Sequence, residues 1–337
     1  MRAVELRELG VEHLQVVERA DPEPGPGQVR VRMRYASLNF RDNIVARGGY
    51  GKHIGLPLIP LSDGAGVIDA VGDGVTDLKV GDRVLACYFQ GWAGGAPTRA
   101  RLATSLGGPL DGTLSELRVF PEGSVVRLPD YLSDDEAATL PCAGVTAYNA
   151  LSVLDHVGPE HTVLVQGTGG VSIFALQLAK LAGARVIVTS SSDDKLVQAR
   201  ALGADETINY RNEPAWGERA RALTDGVGVD HVIEVGGAGT LEQSVHAVAI
   251  GGTISLIGVL AGSDHALRLP LVFLRQVRLQ GVVVGSRDAT ERMLKAMAQH
   301  RMKPVIDPQR FEMANIQEAY AYLGRGGHFG KVVVTIT

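Results

Sequence analysis

The feature that most constrains the fold is an alternation of apolar runs and helical periodicity that begins at Thr162. The five apolar runs are 162–166, 185–189, 206–210, 231–235 and 253–257. This alternation is typical of a doubly wound parallel sheet with helices on both faces. A last run, Val277 to Val284, predicts a sixth strand. At the sheet edge that strand could pair with its copy in a second subunit, so we expect a homodimer.

The first 130 residues carry a different pattern. Short β-type runs at 29–34 and 66–71 are separated by Pro and Gly signals, which predicts a mainly antiparallel, barrel-like domain. The chain of 337 residues is long enough for two domains. Between Tyr88 and Leu117 it is Gly-rich and irregular. We expect a surface flap there, with a substrate cover as the alternative.

Composition excludes several classes of function. A net charge of -4 and a pI near 6.1 give no basic surface for nucleic acid. The start, MRAVELRELG, lacks the apolar core of a secretory signal, so we expect a mature amino terminus. Residues 243–263 are uncharged, but Gly251 and Gly252 divide them into helix, turn and strand, which argues against a membrane span. Cys87 and Cys142 are the only cysteines, which fits a reducing, cytoplasmic location.

A glycine-rich turn follows the first strand of the alternation. It consists of Gly167, Thr168, Gly169, Gly170, Val171 and Ser172. In this position Gly167 permits a tight turn, and Gly169 lets the backbone approach a pyrophosphate at the amino terminus of the next helix. Ser172 replaces the third glycine and is still small. The strand, turn and helix context makes this a predicted dinucleotide site rather than a chance glycine cluster.

The end of the second strand bears on the choice between NADPH and NADH. An acidic residue there would hold the ribose 2'-hydroxyl and repel a 2'-phosphate. The chain instead has Ser190, Ser191 and Ser192, with Lys195 a turn later and Tyr210 closing the third strand. Hydroxyl groups and a point charge favour the phosphate, so NADPH is the predicted cofactor.

Two acidic residues keep NADH open as the less favoured cofactor. Asp193 and Asp194 lie close to the expected acidic distance from the glycine-rich turn. Their alternative role is structural, because Ser192 or Asp193 can cap the following helix and acids stabilise its first turn. Lys195 likewise has an alternative to phosphate binding, as a solvent-exposed residue of the helix. The sequence alone therefore favours NADPH without removing NADH.

Six segments together make the chain resemble the medium-chain dehydrogenase/reductase superfamily, and in particular its zinc-lacking, quinone oxidoreductase-like members. They are SerLeuAsnPheArgAspAsn (37–43), ProLeuSerAspGlyAlaGlyVal (60–67), ValGlyAspArgVal (80–84), LeuProCysAlaGlyValThrAlaTyr (140–148), GlyThrGlyGlyValSer (167–172) and GlyGlyHisPheGlyLys (326–331). The resemblance implies an α/β protein with a GroES-like, β-rich catalytic domain and an inserted Rossmann domain. We place the first at 1–128 and 300–337 and the second at 129–299.

The chain departs from the zinc-binding members of this superfamily. Asn39 stands where their first Cys is expected, Ser62 and Asp63 replace a His and Glu, and only Cys142 remains. A catalytic zinc needs about three protein ligands and a water, so we expect no zinc. The alternative is an alcohol dehydrogenase that recruits metal through Cys142, Asp63 and a distant His.

The resemblance also implies roles for individual residues. Asn39 and Thr146 would orient nicotinamide or substrate, Tyr50 would donate to the carbonyl oxygen, and Asp42 would line the same site. The alternative roles are a turn cap for Asn39, a helix cap for Thr146 and a loop anchor for Tyr50. Further expected cofactor contacts are Val235, Gly236, Gly258, Val259, His328, Phe329 and Lys331.

The activity that the resemblance implies is reduction of a small-molecule acceptor. Without a metal to stabilise an alkoxide, reduction of a quinone or an α,β-unsaturated carbonyl is favoured over alcohol oxidation, with an aldehyde as a further substrate class. The alternatives are a zinc-type alcohol dehydrogenase and an NADPH-binding protein without turnover.

Overall fold

A computed structural model describes residues 1–49, 54–264 and 266–336. The chain divides into two compact units, Met1–Val145 with Val284–Thr337, and Thr146–Val283. The segments 129–145 and 284–299 thus group with the first unit, whereas the sequence analysis placed them in the Rossmann domain. Side-chain contacts explain the grouping of 129–145, since Asp134 accepts from Arg34 at 2.7 Å and from Arg83 at 2.7 Å.

The second unit is a six-stranded parallel sheet, as the alternation predicted. Its strands lie side by side in the order β10, β9, β8, β11, β12, β13. The elements are β8 (Thr162–Gln166), α5 (Gly170–Leu181), β9 (Arg185–Ser190), α6 (Asp193–Ala201), β10 (Glu206–Asn209), α7 (Trp216–Ala222), β11 (Val229–Glu234), α8 (Leu241–Ala247), β12 (Val248–Leu256), α9 (Leu269–Phe273) and β13 (Arg278–Gly281). Numbered along the chain, this is the 3-2-1-4-5-6 order of a doubly wound dinucleotide-binding sheet.

The core of this unit lies between the sheet and its helices. Leu164, Ile187, Val232 and Ile254 are each 0% exposed, because strands covered on both faces bury every apolar side chain. In α5 the buried apolar residues are Ile173, Phe174, Ala175, Leu176, Leu178 and Ala179, whereas Val171, Leu181 and Ala182 are half-buried. The helix therefore buries more than one stripe.

The first unit is β-rich, as expected. Its elements are β1 (Arg2–Leu6), β2 (Leu14–Glu18), β3 (Gln28–Leu38), α1 (Phe40–Ala46), β4 (Asp63–Val71), β5 (Arg83–Ala86), α2 (Arg99–Leu102), β6 (Leu117–Pro121), β7 (Val125–Arg127), α3 (Asp134–Ala137), α10 (Arg287–His300), β14 (Ile306–Glu312), α11 (Ile316–Gly324) and β15 (Lys331–Thr335). The short α4 (Val145–Tyr148) follows a π-helical turn at Leu140–Gly144. One sheet runs β14, β15, β3, β4, β5, β7, and β6 pairs with β3.

Strand β3 organises this sheet because it pairs with β4, β6 and β15, all antiparallel. Along it Val29, Val31 and Met33 are buried while Arg32 and Arg34 are exposed, which is the two-residue period of a strand with one face on the core. The pairing with β15 joins the carboxyl-terminal strand to the amino-terminal part of the chain. This connection brings the segments 37–43 and 326–331 to one place.

The segment between Tyr88 and Leu117 is more tightly packed than a surface flap. Tyr88, Phe89 and Trp92 are buried, with ring centroids 4.6 Å apart for Tyr88 and Phe89 and 5.6 Å apart for Phe89 and Trp92. The buried Arg41 donates to the carbonyl oxygens of Leu106 at 3.0 Å and of Gly108 at 3.1 Å. Residues 95–100 are exposed. The flap expectation is therefore wrong for the flanks of the segment, where Tyr88, Phe89, Trp92 and residues 105–108 are buried.

The uncharged stretch 243–263 forms the end of α8, the strand β12 and the loop after it. Gly251 has a φ of +77°, which marks an irregularity within the stretch. Among the described residues, none of the helices combines the length and apolar character needed to span a membrane.

Candidate functional site

The glycine-rich turn lies at the carboxyl end of β8, where the sheet order reverses between β8 and β11. Gly167 has a φ of +71°, a conformation that favours glycine, and its N–H donates to Thr189 O at 2.7 Å on β9. Thr168 is buried, Gly169 precedes α5, and Gly170 and Val171 form its first turn. The first amides of a helix have no partner within it, so this turn presents N–H groups suited to an anion.

The position of the missing third glycine has a structural role. Ser172 is 2% exposed, and its hydroxyl donates to the carbonyl oxygen of Gln166 at 2.6 Å. This bond closes the turn from the last residue of β8 to the first turn of α5. Ser172 is therefore not only small enough for this position but also stabilises the turn through a hydrogen bond.

The end of β9 carries hydroxyl groups, as the sequence showed. Ser190 is buried, Ser191 is half-buried, and the Ser192 hydroxyl caps α6 by accepting Lys195 N–H at 3.4 Å. Tyr210 is 41% exposed and its N–H donates to Ser190 O at 3.1 Å, which brings it beside the same strand end. Lys195 is half-buried in α6.

Asp193, the residue that kept NADH open, has a structural partner. Its carboxylate accepts the side-chain amide of Asn209 at 2.7 Å, and it occupies the first turn of α6, where acids stabilise a helix. Asp194 is exposed in the same turn. Residues 190–192, which end β9 and lead into α6, contain no carboxylate.

The loops after β11 and β12 lie against each other. Gly258 N–H donates to Glu234 O at 3.3 Å, and a Cβ added to Gly258 would lie 2.4 Å from Val235 O. Only glycine permits this approach. Val235 is 9% exposed and Val259 is 44% exposed. The structure thus brings Val235, Gly236, Gly258 and Val259 together at the edge that holds the glycine-rich turn.

A second polar group is centred on Lys331 in the first unit. Lys331 is 2% exposed, and its ammonium donates to Leu38 O at 2.7 Å, to Asn39 Oδ1 at 2.6 Å and to Asp63 Oδ2 at 3.3 Å. An ammonium has three donors, so these partners use them all. Lys331 thus joins the end of β3 and the start of α1 to β4. Its predicted contact with the cofactor stays a prediction.

Asn39 and Asp42 form the start of α1. The Asp42 carboxylate accepts Asn39 N–H at 2.7 Å, so Asp42 holds the helix start in a capping box. Because Lys331 only donates, Asn39 must turn its amide oxygen toward it. The Asn39 Nδ2 group is buried and has no hydrogen-bond partner among the described residues. Burial raises the pKa of Asp42 to about 6, although the adjacent Arg41 lowers it.

Cys142, Ser62 and Asp63 are the remaining positions of the zinc motif. Asp63 is fully buried and accepts the Ser62 hydroxyl at 2.8 Å and the Ser37 hydroxyl at 3.3 Å as well as Lys331. Burial, with Asp63 nearby, raises the pKa of the Cys142 thiol. Within 1–49, 54–264 and 266–336, no group of three or more His, Cys, Asp or Glu residues could hold a metal ion.

The closing segment, residues 326–331, is held by a hydrogen bond to Asp307. Asp307 accepts Phe329 N–H at 2.8 Å and the Tyr322 hydroxyl at 3.0 Å. Phe329 is buried and His328 is half-buried. These contacts fix the chain immediately before Lys331.

Thr146 and Tyr50 are the two remaining predicted site residues. Thr146 is 3% exposed within α4. Tyr50 lies outside the described residues. The sequence analysis missed Gln166 and Glu234, the last residues of β8 and β11, and the bond of Lys331 to Asp63. Polar residues that end apolar strands were the available signal for the first pair.

Together these observations define a class of protein. A 3-2-1-4-5-6 parallel sheet with a glycine-rich turn at its switch point is a dinucleotide-binding domain, here inserted into a β-rich unit made from both chain ends. A family model described as "Alcohol dehydrogenase GroES-like domain" matches residues 25–130, and one described as "Zinc-binding dehydrogenase" matches residues 170–299. The chain belongs to the medium-chain dehydrogenase/reductase superfamily of oxidoreductases.

Known proteins resemble the chain over nearly its whole length. A zinc-type alcohol dehydrogenase-like protein of Schizosaccharomyces pombe is 42% identical, covering 97% of this chain and 96% of the relative. A quinone oxidoreductase of Pseudomonas aeruginosa is 36% identical, covering 96% of each. A solved structure of an NAD-dependent alcohol dehydrogenase is 37% identical, with a TM-score of 0.92 and coverage of 100% of both chains. The expected α/β fold with GroES-like and Rossmann domains is confirmed.

The raised pKa of Asp42 predicts a pH-dependent stability. Since the folded pKa is about 6 and the usual value is 3.8, the folded state binds more protons between these values, and Asp42 makes the protein less stable as the pH rises through 4 to 6. In Asp42→Asn this contribution is absent. Urea unfolding of both proteins at pH 4.5 and 7 should show the wild type losing about 2 kcal/mol more than the variant.

Asp194→Asn, at an exposed position, is the control for this comparison. Its free energy of unfolding should follow the wild-type pH profile. If the free energies of unfolding of Asp42→Asn and the wild type changed equally with pH, this would contradict the raised pKa of Asp42.

Proposed function

We propose that the chain is an NADPH-dependent oxidoreductase that transfers hydride to a quinone or α,β-unsaturated carbonyl without a catalytic zinc. The observation that carries this proposal is the buried Lys331 ammonium, which holds Asn39 Oδ1 and Asp63 Oδ2. These two residues stand at positions of the zinc motif. Their oxygens are already bonded to a cation of the protein itself.

The donor set also fits zinc poorly. Zinc binds thiolate, and burial raises the pKa of the Cys142 thiol, which opposes its loss of a proton. Ser62 replaces a histidine and donates to Asp63. The names of the S. pombe relative and of the matched family model keep a zinc-type alcohol dehydrogenase as the second candidate. A metal assay distinguishes the two.

The cofactor site fits a phosphorylated dinucleotide. The glycine-rich turn and the first amides of α5 would hold the pyrophosphate, and Ser190, Ser191 and Lys195 would meet the 2'-phosphate. Asp193, the first carboxylate after β9 in the sequence, accepts the Asn209 side-chain amide at 2.7 Å, which gives it a structural role in place of a ribose contact. The NAD-dependent name of one similar structure supports NADH as the alternative.

The chemistry then needs orientation and hydrogen-bond donors. When bound, NADPH would supply a hydride from nicotinamide C4 to the conjugated acceptor and become NADP⁺. The acceptor oxygen gains negative charge and takes up a proton to complete a two-electron reduction. Lys331 fixes the Asn39 amide so that Nδ2 is available as a donor, which suits a carbonyl oxygen of nicotinamide or substrate.

The remaining predicted residues have distinct roles in this proposal. Asp42 acts through Asn39, whose backbone it holds, and is therefore a positioning residue. Tyr50 is the proposed donor to the acceptor oxygen, and Thr146 an orienting group. Val235, Gly236, Gly258, Val259, His328 and Phe329 are the proposed contacts of the nicotinamide half. A chain with only two cysteines fits the reducing cytoplasm as the proposed location.

The test of this function is turnover with defined acceptors. Purified protein with NADPH should reduce 1,4-benzoquinone or an enone such as methyl vinyl ketone, followed as loss of absorbance at the reduced nicotinamide band, and its activity should survive exhaustive chelation. Stoichiometric zinc required for alcohol oxidation would favour the second candidate. Tight NADPH binding with no acceptor reduced would indicate a binding protein without turnover.

The strand end of β9 predicts a change of cofactor preference. Ser191→Asp places a carboxylate where it repels a 2'-phosphate and can bind a 2'-hydroxyl. We expect the Kd of NADPH to rise about tenfold or more, equivalent to about 1.4 kcal/mol, while that of NADH falls or stays unchanged. Ser191→Ala is the control without added charge. An unchanged ratio of the two Kd values in Ser191→Asp would refute the assignment of the phosphate site.

We also propose a homodimer through the outer edge of β13. Among the described residues, β13 pairs only with β12, and all four of its residues are exposed. Phe273 and Leu274, which adjoin each other shortly before β13, are 63% and 72% exposed, and adjoining exposed apolar side chains are typical of an interaction surface. A second copy would pair with the open strand and cover these side chains.

Charged substitutions test this interface. Phe273→Lys with Leu274→Lys should convert a dimer into a monomer, because burial of two ammonium groups opposes association. Light scattering after size exclusion measures the mass. Val197→Lys with Val227→Lys, at positions 67% and 65% exposed elsewhere in the same unit, should leave the mass unchanged. A monomeric wild type would rule out the proposed dimer.

A further inference from the structure

A buried carboxylate lies at the end of β11 with no role in the proposed chemistry. Glu234 is 0% exposed. Its Oε1 accepts Gly236 N–H at 2.8 Å, Gly237 N–H at 2.9 Å and the Thr240 hydroxyl at 2.5 Å. Its Oε2 accepts Gln166 Nε2 at 2.7 Å and the Ser244 hydroxyl. All five donors are neutral, so N–H and O–H dipoles alone hold this group.

Gln166 links this group to the glycine-rich turn. It ends β8, the strand beside β11, and immediately precedes Gly167. Its Oε1 accepts Val235 N–H and Gly236 N–H, both at 3.3 Å, while its main-chain oxygen accepts the Ser172 hydroxyl at 2.6 Å. One side chain thus binds the loop after β11, and its own backbone binds the turn before α5.

The loop after β11 in turn holds the loop after β12. Ala261 N–H donates to Gly236 O at 2.6 Å, and Ala238 N–H donates to Gly262 O at 2.8 Å. The Thr240 hydroxyl, drawn toward Glu234, lies so close that a Cβ on Gly236 would be 2.2 Å from it. The backbone from Val235 to Gly237 therefore has one conformation that all these bonds require.

We propose that Glu234 and Gln166 are positioning residues that set the loops after β11 and β12 relative to the glycine-rich turn. They act on the nicotinamide half of the cofactor through the main chain of Val235, Gly236 and Gly258 and do not contact the cofactor. This inference rests on the proposed function, because those loops are its proposed nicotinamide contacts. The adenosine half would bind at Ser190 and Ser191, which receive none of these bonds.

Glu234→Gln tests the proposal. Its NH₂ group would face N–H or O–H donors in place of an acceptor oxygen, so the loop must rearrange. We expect the Kd of NADPH to rise about tenfold, the size of one lost hydrogen bond to a charged group. The kcat should fall as well. The Kd of adenosine 2',5'-bisphosphate should change by no more than about twofold, because this ligand has only the adenosine half of the cofactor.

A matched control separates positioning from loss of stability. Ser255 is also 0% exposed and its hydroxyl bonds a buried histidine, His231, at 2.9 Å in the same sheet. Ser255→Ala should lower the melting temperature and leave the ratio of the two Kd values unchanged. If Glu234→Gln fails to fold, Thr240→Val is the second variant, because it removes a single donor at a half-buried position. It should raise the Kd of NADPH and leave the Kd of adenosine 2',5'-bisphosphate unchanged.

The outcomes distinguish this proposal from the proposed function. Equal weakening of both ligands, or no change for NADPH in folded Glu234→Gln and Thr240→Val, would overturn the positioning role. A wild type that binds neither NADPH nor NADH would instead refute the dinucleotide function itself.

Discussion

The chemistry available to the first unit depends on one buried cation. Lys331 is fixed by a backbone oxygen of β3, by the Asn39 amide and by the Asp63 carboxylate, and it is almost completely removed from solvent. A buried ammonium is stable only with such partners. Because it reaches these groups from the first position of β15, the pairing of β15 with β3 is needed to place it.

In the proposed function the second unit would bind the pyrophosphate through dipoles, and a cation, Lys195, would meet only the 2'-phosphate. The strand ends of this unit meet at one edge, where a helix start, hydroxyl groups and tightly packed glycines present dipoles in place of charges. The same device operates inside the sheet, where Glu234 is held by five neutral donors. Oriented N–H and O–H groups thus stabilise the buried Glu234 side chain, and they would stabilise the proposed pyrophosphate in the same way.

Much of this could be predicted from the sequence, and physical reasons separate what could from what could not. The strands and helices of the parallel sheet follow from apolar periodicity, and the turn at Gly167 follows from its place between strand and helix. The contacts of Lys331 could not be predicted, because they join residues 39, 63 and 331, which only strand pairing brings together. Gln166 and Glu234 were overlooked since a polar residue ending a strand is common. The packing of Phe89 and Trp92 was missed because the surrounding glycines suggested mobility.

The anchoring of the 88–117 segment has a consequence for how this scaffold can change. Arg41 and the aromatic cluster fix both flanks of the segment, while residues 95–100 remain in solvent. Side-chain variation at this exposed tip costs little folding free energy where it keeps Gly95 O, which accepts the Trp92 indole N–H at 2.9 Å, and the Thr98 cap of α2. The scaffold therefore has a site where insertions or grafted peptides can be accepted while its core and its polar groups stay as they are.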